Sequence, residues 1–381
     1  MRYEMAMSSS SSTTRLFATC TRGLETLLKK ELEGLGISEG QTGASGVYLP
    51  YTIEHIYKVN YCSRIATRLL VPLARFSCTG REDLYKQIGK IDWTRFLTLD
   101  TSFAVDANIQ ETPAFTNSHF AALVVKDAIC DQLRKKLGGR PWINRKTPAI
   151  QLNLYINRGE AILNLDTSGA PLFKRGWREA TMVAPLQETL AAALLFGSGY
   201  LPSDVLFDPF CGSGTFLVEA AMMSSKTPAG FYRKNWGFFH LPEHNEEQWL
   251  AFKSEQDAKR IPLTPGKLFG VDKCSETLDS AYANLRNAGF DNAVTLIERP
   301  IEQLRHPIAP SLVVANPPYG VRLEVNQDVL RGFGKWLEKH KVQAYLIYPE
   351  EGKLEEALGR PCKPLFSFYN GGLEVKAFRT L

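Results

Sequence analysis

The chain has 381 residues, and at about 150 residues per domain this length predicts two or three domains, each large enough to bury a core. Apolar residues make up 44% and charged residues 22% of the sequence, values that exclude a largely disordered or collagen-like chain. The longest apolar runs fall far short of the ~20 residues that cross a membrane, so no transmembrane helix is expected.

The N-terminus has no apolar segment followed by a cleavage site, so a secretory signal is not predicted. The serine tract Ser8–Ser12 indicates a disordered tail over residues 1–14. The seven cysteines are odd in number and never form a CxxC pair, which argues against a disulfide framework and against a metal site. This cysteine usage fits a reducing, cytoplasmic location.

The N-terminal half predicts a mixed α+β region. Leucines recur at helical spacing between Leu24 and Leu35, and a second apolar stripe of helical period begins after Asn117. Two segments of alternating apolar residues follow, joined through Arg158-Gly159, and predict a hairpin. In chain order the predicted elements are a strand at Leu16–Cys20, helices over 24–35 and 117–138, and the hairpin over 150–165.

Charge is distributed unevenly between the halves. Residues 1–180 carry 24 Lys and Arg against 17 Asp and Glu, a net charge of +7, whereas residues 181–381 carry 21 against 23, a net charge of −2. A basic half joined to a near-neutral half favours recognition of a polyanion by the first. A basic cluster lies on the second predicted helix and the loop after it. Such a cluster suits a phosphate backbone, with a solvated helix face as the alternative. Its members are Lys126, Arg134, Lys135, Lys136, Arg140, Arg145 and Lys146.

After residue 180 short apolar runs alternate with helical patterns, which is the signature of a doubly wound parallel sheet. Asn370-Gly371-Gly372 separates two further strand-like segments and predicts a closing antiparallel hairpin. An aromatic stretch that includes Trp236 and Phe238 is expected to pack as core rather than to border a substrate. The apolar runs of the predicted parallel sheet are Val205–Asp208, Leu268–Asp272, Val294–Ile297, Leu312–Asn316 and Ala344–Tyr348.

A glycine-rich turn, Asp208-Pro209-Phe210-Cys211-Gly212-Ser213-Gly214-Thr215, follows the first of these runs. Thr215-Phe216 stands where a P-loop requires Lys followed by Ser or Thr, and Leu217 stands where a dinucleotide fingerprint requires glycine. Asp272, at the tip of the next strand, is placed to accept hydrogen bonds from both hydroxyls of a ribose. The pattern therefore predicts a nucleoside ligand without a pyrophosphate, although a plain tight turn would explain the two glycines alone.

Asn316-Pro317-Pro318-Tyr319-Gly320 follows the fourth strand. The prolines fix the backbone and remove two N–H donors, so the loop presents carbonyl oxygens as acceptors. Asn316 adds an amide oxygen, and Tyr319 provides a ring that can stack on a base. This loop predicts a site that holds an amine by accepting its hydrogen bonds, with a rigid polar turn as the alternative.

Together, Asp208–Thr215, Asp272 and Asn316–Gly320 resemble the motifs of class I S-adenosylmethionine-dependent methyltransferases that act on exocyclic amino groups of bases. Segments elsewhere in the chain resemble the bacterial THUMP-domain methyltransferases, in particular the large-subunit ribosomal RNA guanine-N2 enzymes in a form without their fused second methyltransferase domain. These segments are Phe17–Cys20, Arg22–Glu25, Val125–Ile129, Lys174–Arg178 and Pro185–Ala193.

The resemblance implies an α/β fold class. We expect an N-terminal α+β ferredoxin-like and THUMP region, followed by a C-terminal doubly wound, seven-stranded Rossmann-like methyltransferase domain with a closing antiparallel hairpin. The expected boundaries are a tail at 1–14, a ferredoxin-like segment at 15–70, an RNA-binding THUMP domain at 71–168 and the methyltransferase domain at 169–381. The implied cofactor is S-adenosyl-L-methionine, and the implied partner is RNA, namely 23S rRNA or a ribosomal precursor.

The resemblance also implies roles for individual residues. It makes Asn316, Pro317, Pro318 and Tyr319 catalytic, with the Asn316 side chain and the Pro317 carbonyl each accepting one N–H of the target amine. The implied cofactor-binding residues are Asp208, Pro209, Cys211, Gly212, Ser213, Gly214, Thr215 and Asp272, together with Pro185, Glu188 and Thr189 at a helix start that closes over the cofactor. Lys174 and Arg175 join the seven residues of the basic cluster as expected RNA contacts.

Three alternatives stay open. The same Asn-Pro-Pro-Tyr loop serves adenine-N6 methylation of DNA, although the sequence contains no evident target-recognition region for DNA. A THUMP module also occurs in tRNA guanine-N2 methyltransferases. An RNA-binding or assembly protein with an inactive methyltransferase fold is the third alternative, and the intact motifs argue against it.

Overall fold

A computed structural model of the protein describes residues 15–178, 185–304, 310–317, 327–349, 351–370 and 373–381. The N-terminal strands are β1 (Arg15–Thr19), β2 (Gln41–Gly43), β3 (Gly46–Pro50), β4 (Arg68–Ser77), β5 (Phe103–Gln110), β6 (Ile150–Asn157) and β7 (Glu160–Asp166). The helices of this half are α1 (Glu25–Gly34), α2 (Ile53–Cys62), α3 (Arg81–Ile88) and α4 (Ser118–Leu137).

The C-terminal strands are β8 (Leu206–Asp208), β9 (Leu268–Asp272), β10 (Val294–Glu298), β11 (Leu312–Ala315), β12 (Ala344–Tyr348), β13 (Cys362–Asn370) and β14 (Leu373–Thr380). The helices are α5 (Glu188–Ser198), α6 (Thr215–Ser224), α7 (Glu246–Ala258), α8 (Ser275–Asn287), α9 (Gln327–His340) and α10 (Glu351–Leu358). Short 3₁₀ turns lie at Trp93–Arg95, Gly237–His240 and Ile301–Gln303.

The N-terminal half forms one seven-stranded mixed sheet in the order β2-β3-β1-β4-β7-β6-β5. β4 joins its two parts because residues 68–70 pair with β1 on one edge and residues 70–77 pair with β7 on the other, with Leu70 opposite both Phe17 and Asp166. The expected boundary between residues 70 and 71 therefore lies within a strand of ten residues. The two segments on either side of the expected boundary share this strand and with it a continuous sheet.

The C-terminal half forms a second seven-stranded sheet in the order β10-β9-β8-β11-β12-β14-β13. The strands from β10 to β12 pair in parallel, and β14 inserts antiparallel between β12 and β13. Both the doubly wound sheet and the closing hairpin that the sequence predicts are thus confirmed. Among the described residues, none of the helices combines the length and the apolar character that a membrane crossing requires.

An aromatic cluster joins the two halves. Tyr57 and Tyr61 of α2 pack against Trp236, Phe238 and Trp249, with ring centroids 5.1 Å apart for Tyr57 and Phe238 and 5.4 Å apart for Tyr61 and Trp249. Trp236 and Phe238 are buried, which confirms the expected core packing for these two residues, whereas Phe231 and Phe239 of the same stretch are half-buried. Large aromatic surfaces removed from water on both sides stabilise the junction.

Buried charges cross the same junction. Glu219 of α6 has no exposed surface, and its carboxylate lies 3.0 Å from Nε of Arg175 and 3.6 Å from Nη1 of Arg64. Arg64 also donates to the carbonyls of Met222 and Thr227, and Arg175 donates to the carbonyl of Arg64 at 2.6 Å. Two guanidinium groups thus share one carboxylate, and burial lowers the pKa of Arg64.

Replacing Glu219 by Ala should lower the free energy of unfolding by about 3–5 kcal/mol, because the change leaves two buried guanidinium groups without their shared counter-charge. Denaturation by urea, followed by circular dichroism, measures this change. Glu255→Ala is the matched control, since its pair with Lys259 is exposed to solvent and its loss should leave the unfolding midpoint in place. A Glu219→Ala protein that unfolds at the wild-type midpoint would contradict the assignment.

Candidate active site

Three strand ends meet at one edge of the C-terminal sheet. Asp208 is the last residue of β8, Asp272 is the last residue of β9, and Asn316 directly follows β11. β8 pairs with β9 on one side and with β11 on the other. The strand order reverses at this point, and a reversal opens a crevice at the carboxyl ends of the strands. The fold therefore brings these three polar side chains to one crevice.

The turn between β8 and α6 is held by backbone geometry that glycine favours. Gly212 and Gly214 have φ angles of +52° and +78°. The Gly212 N–H donates to Oδ2 of Asp272 at 3.1 Å, which ties the turn to the tip of β9. A Cβ at Gly212 would meet no atom within 4 Å, whereas one at Gly214 would lie 3.3 Å from Ala281 of α8. Gly212 thus faces open space, and Gly214 permits close packing of the helix behind the turn.

Several buried oxygen atoms at this edge lack a hydrogen-bond partner among the described residues. They are Oδ2 of Asp208, Oγ1 of Thr189 and Oδ1 of Asn316. Burial raises the pKa of Asp208 well above its usual range, and the charge of Asp272 adds to that effect. An unpaired buried polar atom is costly unless a ligand satisfies it. These oxygen atoms can therefore form hydrogen bonds with a ligand.

Arg178 ties the helix start at α5 to the glycine turn. Its Nε donates to the Glu188 carboxylate at 2.7 Å, its Nη1 to Oγ of Ser213 at 2.9 Å and its Nη2 to Oγ1 of Thr215 at 2.8 Å. Burial raises the pKa of the Glu188 carboxyl, and the Arg178 guanidinium opposes that shift. All three partners are residues that the sequence assigned to the cofactor, whereas Arg178 itself was missed. Its position in the Lys174–Arg178 segment was the available signal.

The remaining predicted site residues lie around this turn. Pro209 and Cys211 are buried within it, and burial raises the pKa of the Cys211 thiol well above its usual range. Pro185 lies just before α5, and Glu188 and Thr189 are its first two residues. Pro317 is buried next to Asn316. Pro318 and Tyr319 lie outside the described residues.

The basic cluster lies on α4 and the loop that follows. Arg134, Lys135 and Lys136 occupy the last turn of the helix and are exposed. Three members of the cluster already form ion pairs: Lys126 with Asp127, Lys136 with Asp92 and Arg140 with Asp131. Arg145, Lys146 and the separate Lys174 are exposed.

The expectation that Arg175 contacts RNA is wrong. Its side chain is 2% exposed, and its guanidinium is bonded to Glu219 and to backbone carbonyls. A group so enclosed has no surface to offer a phosphate. Arg175 instead belongs to the buried contacts between the halves.

Three family models match the chain. A model described as an RMKL-like methyltransferase domain matches residues 175–374, more than half of the chain. A model described as a THUMP domain matches residues 78–166, and one described as an RlmL ferredoxin-like domain matches residues 15–70.

Solved structures share this fold over almost the whole chain. SMU.472, a methyltransferase candidate in complex with S-adenosylhomocysteine (SAH), is 26% identical, with 97% of this chain and 98% of that chain covered and a TM-score of 0.85. A predicted N6-adenine-specific DNA methylase from Listeria monocytogenes is 26% identical, with 96% of this chain and 95% of that chain covered and a TM-score of 0.83. A possible methylase from Clostridium difficile is 26% identical, with 96% of this chain and 97% of that chain covered and a TM-score of 0.84.

Arg178→Gln should weaken binding of SAH at least about tenfold, because the change removes the charged donor that fixes Glu188, Ser213 and Thr215. Isothermal titration calorimetry measures the Kd, and a thermal melt checks that the fold is retained. Arg286→Gln, on the exposed far end of α8, is the control and should bind SAH as the wild type does. An unchanged or lower Kd for Arg178→Gln would count against this role.

Proposed function

Because the chain belongs to the RMKL-like methyltransferase family and is an S-adenosylmethionine-dependent methyltransferase with a THUMP domain, we propose that it methylates the exocyclic N2 amine of a guanosine in 23S rRNA. The observation that carries this proposal is Oδ1 of Asn316 at the tip of β11, which is buried and has no hydrogen-bond partner among the described residues. A base amine can supply the hydrogen bond that this oxygen lacks.

The residues at the crevice fit S-adenosylmethionine. Asp272 stands where a carboxylate accepts hydrogen bonds from ribose hydroxyls, and Gly212 leaves open space in front of the turn. The carboxyl groups of Asp208 and Asp272 suit a ligand that carries a positive sulfonium and a positive ammonium, whereas the Glu188 carboxylate is already paired with Arg178. When bound, the cofactor supplies an electrophilic methyl group. We assign its binding to these residues and to Gly214, with Pro185, Thr189 and the rest of the turn beside them.

Asn316 and Pro317 act by positioning the target amine. The lone pair of the guanine N2 amine is delocalised into the ring, which makes the nitrogen a poor nucleophile. If Oδ1 of Asn316 and the carbonyl of Pro317 each accept one N–H, the amine is held with its lone pair turned toward the methyl donor. Positioning and fixed dipoles then supply most of the rate, and the proton is released after transfer. The base is unstacked to reach this site, and we assign stacking on it to Tyr319 and a place in the same catalytic motif to Pro318.

RNA is favoured over DNA by the N-terminal half. The basic cluster lies within the region that matches the THUMP domain, and its exposed members suit a phosphate backbone. The match to an RlmL ferredoxin-like domain supports ribosomal RNA as the class of RNA. The alternatives are guanine in tRNA and, since one related structure is described as an adenine-specific DNA methylase, adenine in DNA.

Incubation with methyl-labelled cofactor and, separately, unmodified 23S rRNA, 16S rRNA, tRNA and duplex DNA tests the proposal. Nucleoside mass spectrometry should identify N2-methylguanosine in 23S rRNA. Asn316→Ala should lower kcat by at least about 10²-fold, the usual scale for a preorganised polar group, while SAH still binds. Label in tRNA, methyladenine in DNA, or near-native turnover by the variant would each contradict the proposal as stated.

Charge reversal at Arg134 and Lys135 should weaken RNA binding and flatten its dependence on salt. Each lost phosphate contact lowers the slope of log K against log salt by about 0.7–0.9. Filter binding between 50 and 200 mM salt measures this slope. Arg286→Glu, an exposed change on the methyltransferase domain, is the matched control. A wild-type slope in the double variant would show that the last turn of α4 does not contact RNA.

A further inference from the structure

Trp142 is unusually exposed for its residue type. Its side chain is 73% exposed, the largest value among the large apolar side chains of the described residues. The other five tryptophans, at positions 93, 177, 236, 249 and 336, are at most 5% exposed. A ring left in water forgoes the stabilisation that its burial would give. Neither the fold nor the proposed reaction so far gives this side chain a role.

The exposure of Trp142 does not follow from a loose backbone. Its carbonyl accepts from the N–H of Phe103 at 2.9 Å, and the N–H of Asn144 donates to the carbonyl of Phe103 at 3.2 Å. Ile143 pairs in parallel with Phe103, so the segment continues the sheet beside β5. The Asn144 side chain then accepts from the backbone N–H groups of Lys146 and Thr147. The ring is therefore presented from a hydrogen-bonded segment.

Positively charged residues lie close to Trp142 in the sequence. Arg140, Arg145 and Lys146 lie within four residues of Trp142. Arg140 is paired with Asp131 at 3.2 Å, but in the described part of the chain no carboxylate lies within 4.0 Å of the charged groups of Arg145 or Lys146. Arg145 also lines a small surface pocket with Lys126, Ile143 and Phe103. Two exposed cations with no carboxylate partner among the described residues thus follow an exposed indole within four residues of the chain.

We propose that Trp142 stacks on an unpaired RNA base while Arg145 and Lys146 contact the adjoining phosphates. This inference rests on the proposed function, since it takes the substrate to be RNA. Every nucleic acid base has a flat face that an indole can stack on, and a single strand carries its phosphates close to its bases. An acidic protein surface would match the charges but would not require a flat ring so fully exposed. The ligand class is therefore a single-stranded RNA segment outside the target nucleotide.

The test is RNA binding without methyl donor, measured on the RNA that the labelling experiment identifies as substrate. Trp142→Ala should raise Kd about tenfold, within the range for loss of one stacked base. Its salt dependence should stay as in the wild type, because tryptophan carries no charge. Trp142→Phe should retain most of the affinity. Arg145→Gln with Lys146→Gln should instead flatten the salt dependence.

Intrinsic fluorescence provides an independent readout. Since the other tryptophans are buried, RNA should quench the emission of Trp142, and Trp142→Phe should abolish that quenching while the protein still binds RNA. Wild-type affinity in Trp142→Ala, or quenching that persists in Trp142→Phe, would overturn the inference. Either result would leave the proposed function intact if the wild-type protein still methylates its RNA. Failure of the wild type to methylate any RNA would overturn the proposed function itself.

Discussion

The carboxylate of Glu219, together with the aromatic cluster beside α2, joins the two halves of the chain. It lies on α6, the helix that begins at the glycine turn, and it is shared by Arg64 from the N-terminal half and Arg175 from the segment that leads into the C-terminal half. Three residues after Arg175, Arg178 reaches the same turn from the other side. The relation between the N-terminal half and the crevice thus depends on charged groups that are mostly buried, so that a displacement of one half would leave the fully buried Glu219 and Arg175 without their partners.

The two halves also separate opposite charges. The crevice holds Asp208 and Asp272 at the ends of β8 and β9 and the ion pair of Glu188 with Arg178 at the start of α5, whereas α4 and its loop carry exposed Lys and Arg. The proposed polyanionic substrate is therefore attracted to α4 and its loop, away from the carboxyl groups of the crevice.

Much of this architecture is predictable because apolar runs and their polar ends are local features. The runs at Leu268–Asp272 and Ala344–Tyr348 become strands with the predicted bounds, and the three polar strand ends meet because β8 lies between β9 and β11. The predictions that failed concern contacts between residues far apart in the sequence. Arg175 looked like a surface cation, since its partner Glu219 is 44 residues away. The contacts of Arg178 likewise depend on tertiary structure that no local pattern encodes.

The strand β4 has a consequence for how the N-terminal half can be divided. Residues 68–70 of this strand pair with β1 and residues 70–77 pair with β7, so one continuous strand carries hydrogen bonds of both segments, and Leu70 belongs to both. Cutting the chain between residues 70 and 71 would leave the pairs with β1 in one fragment and nearly all pairs with β7 in the other. Each fragment would then end in a short strand whose outer edge is open to pairing with another chain. A fragment that keeps the sheet continuous has to carry the whole of β4 together with β1 and β7.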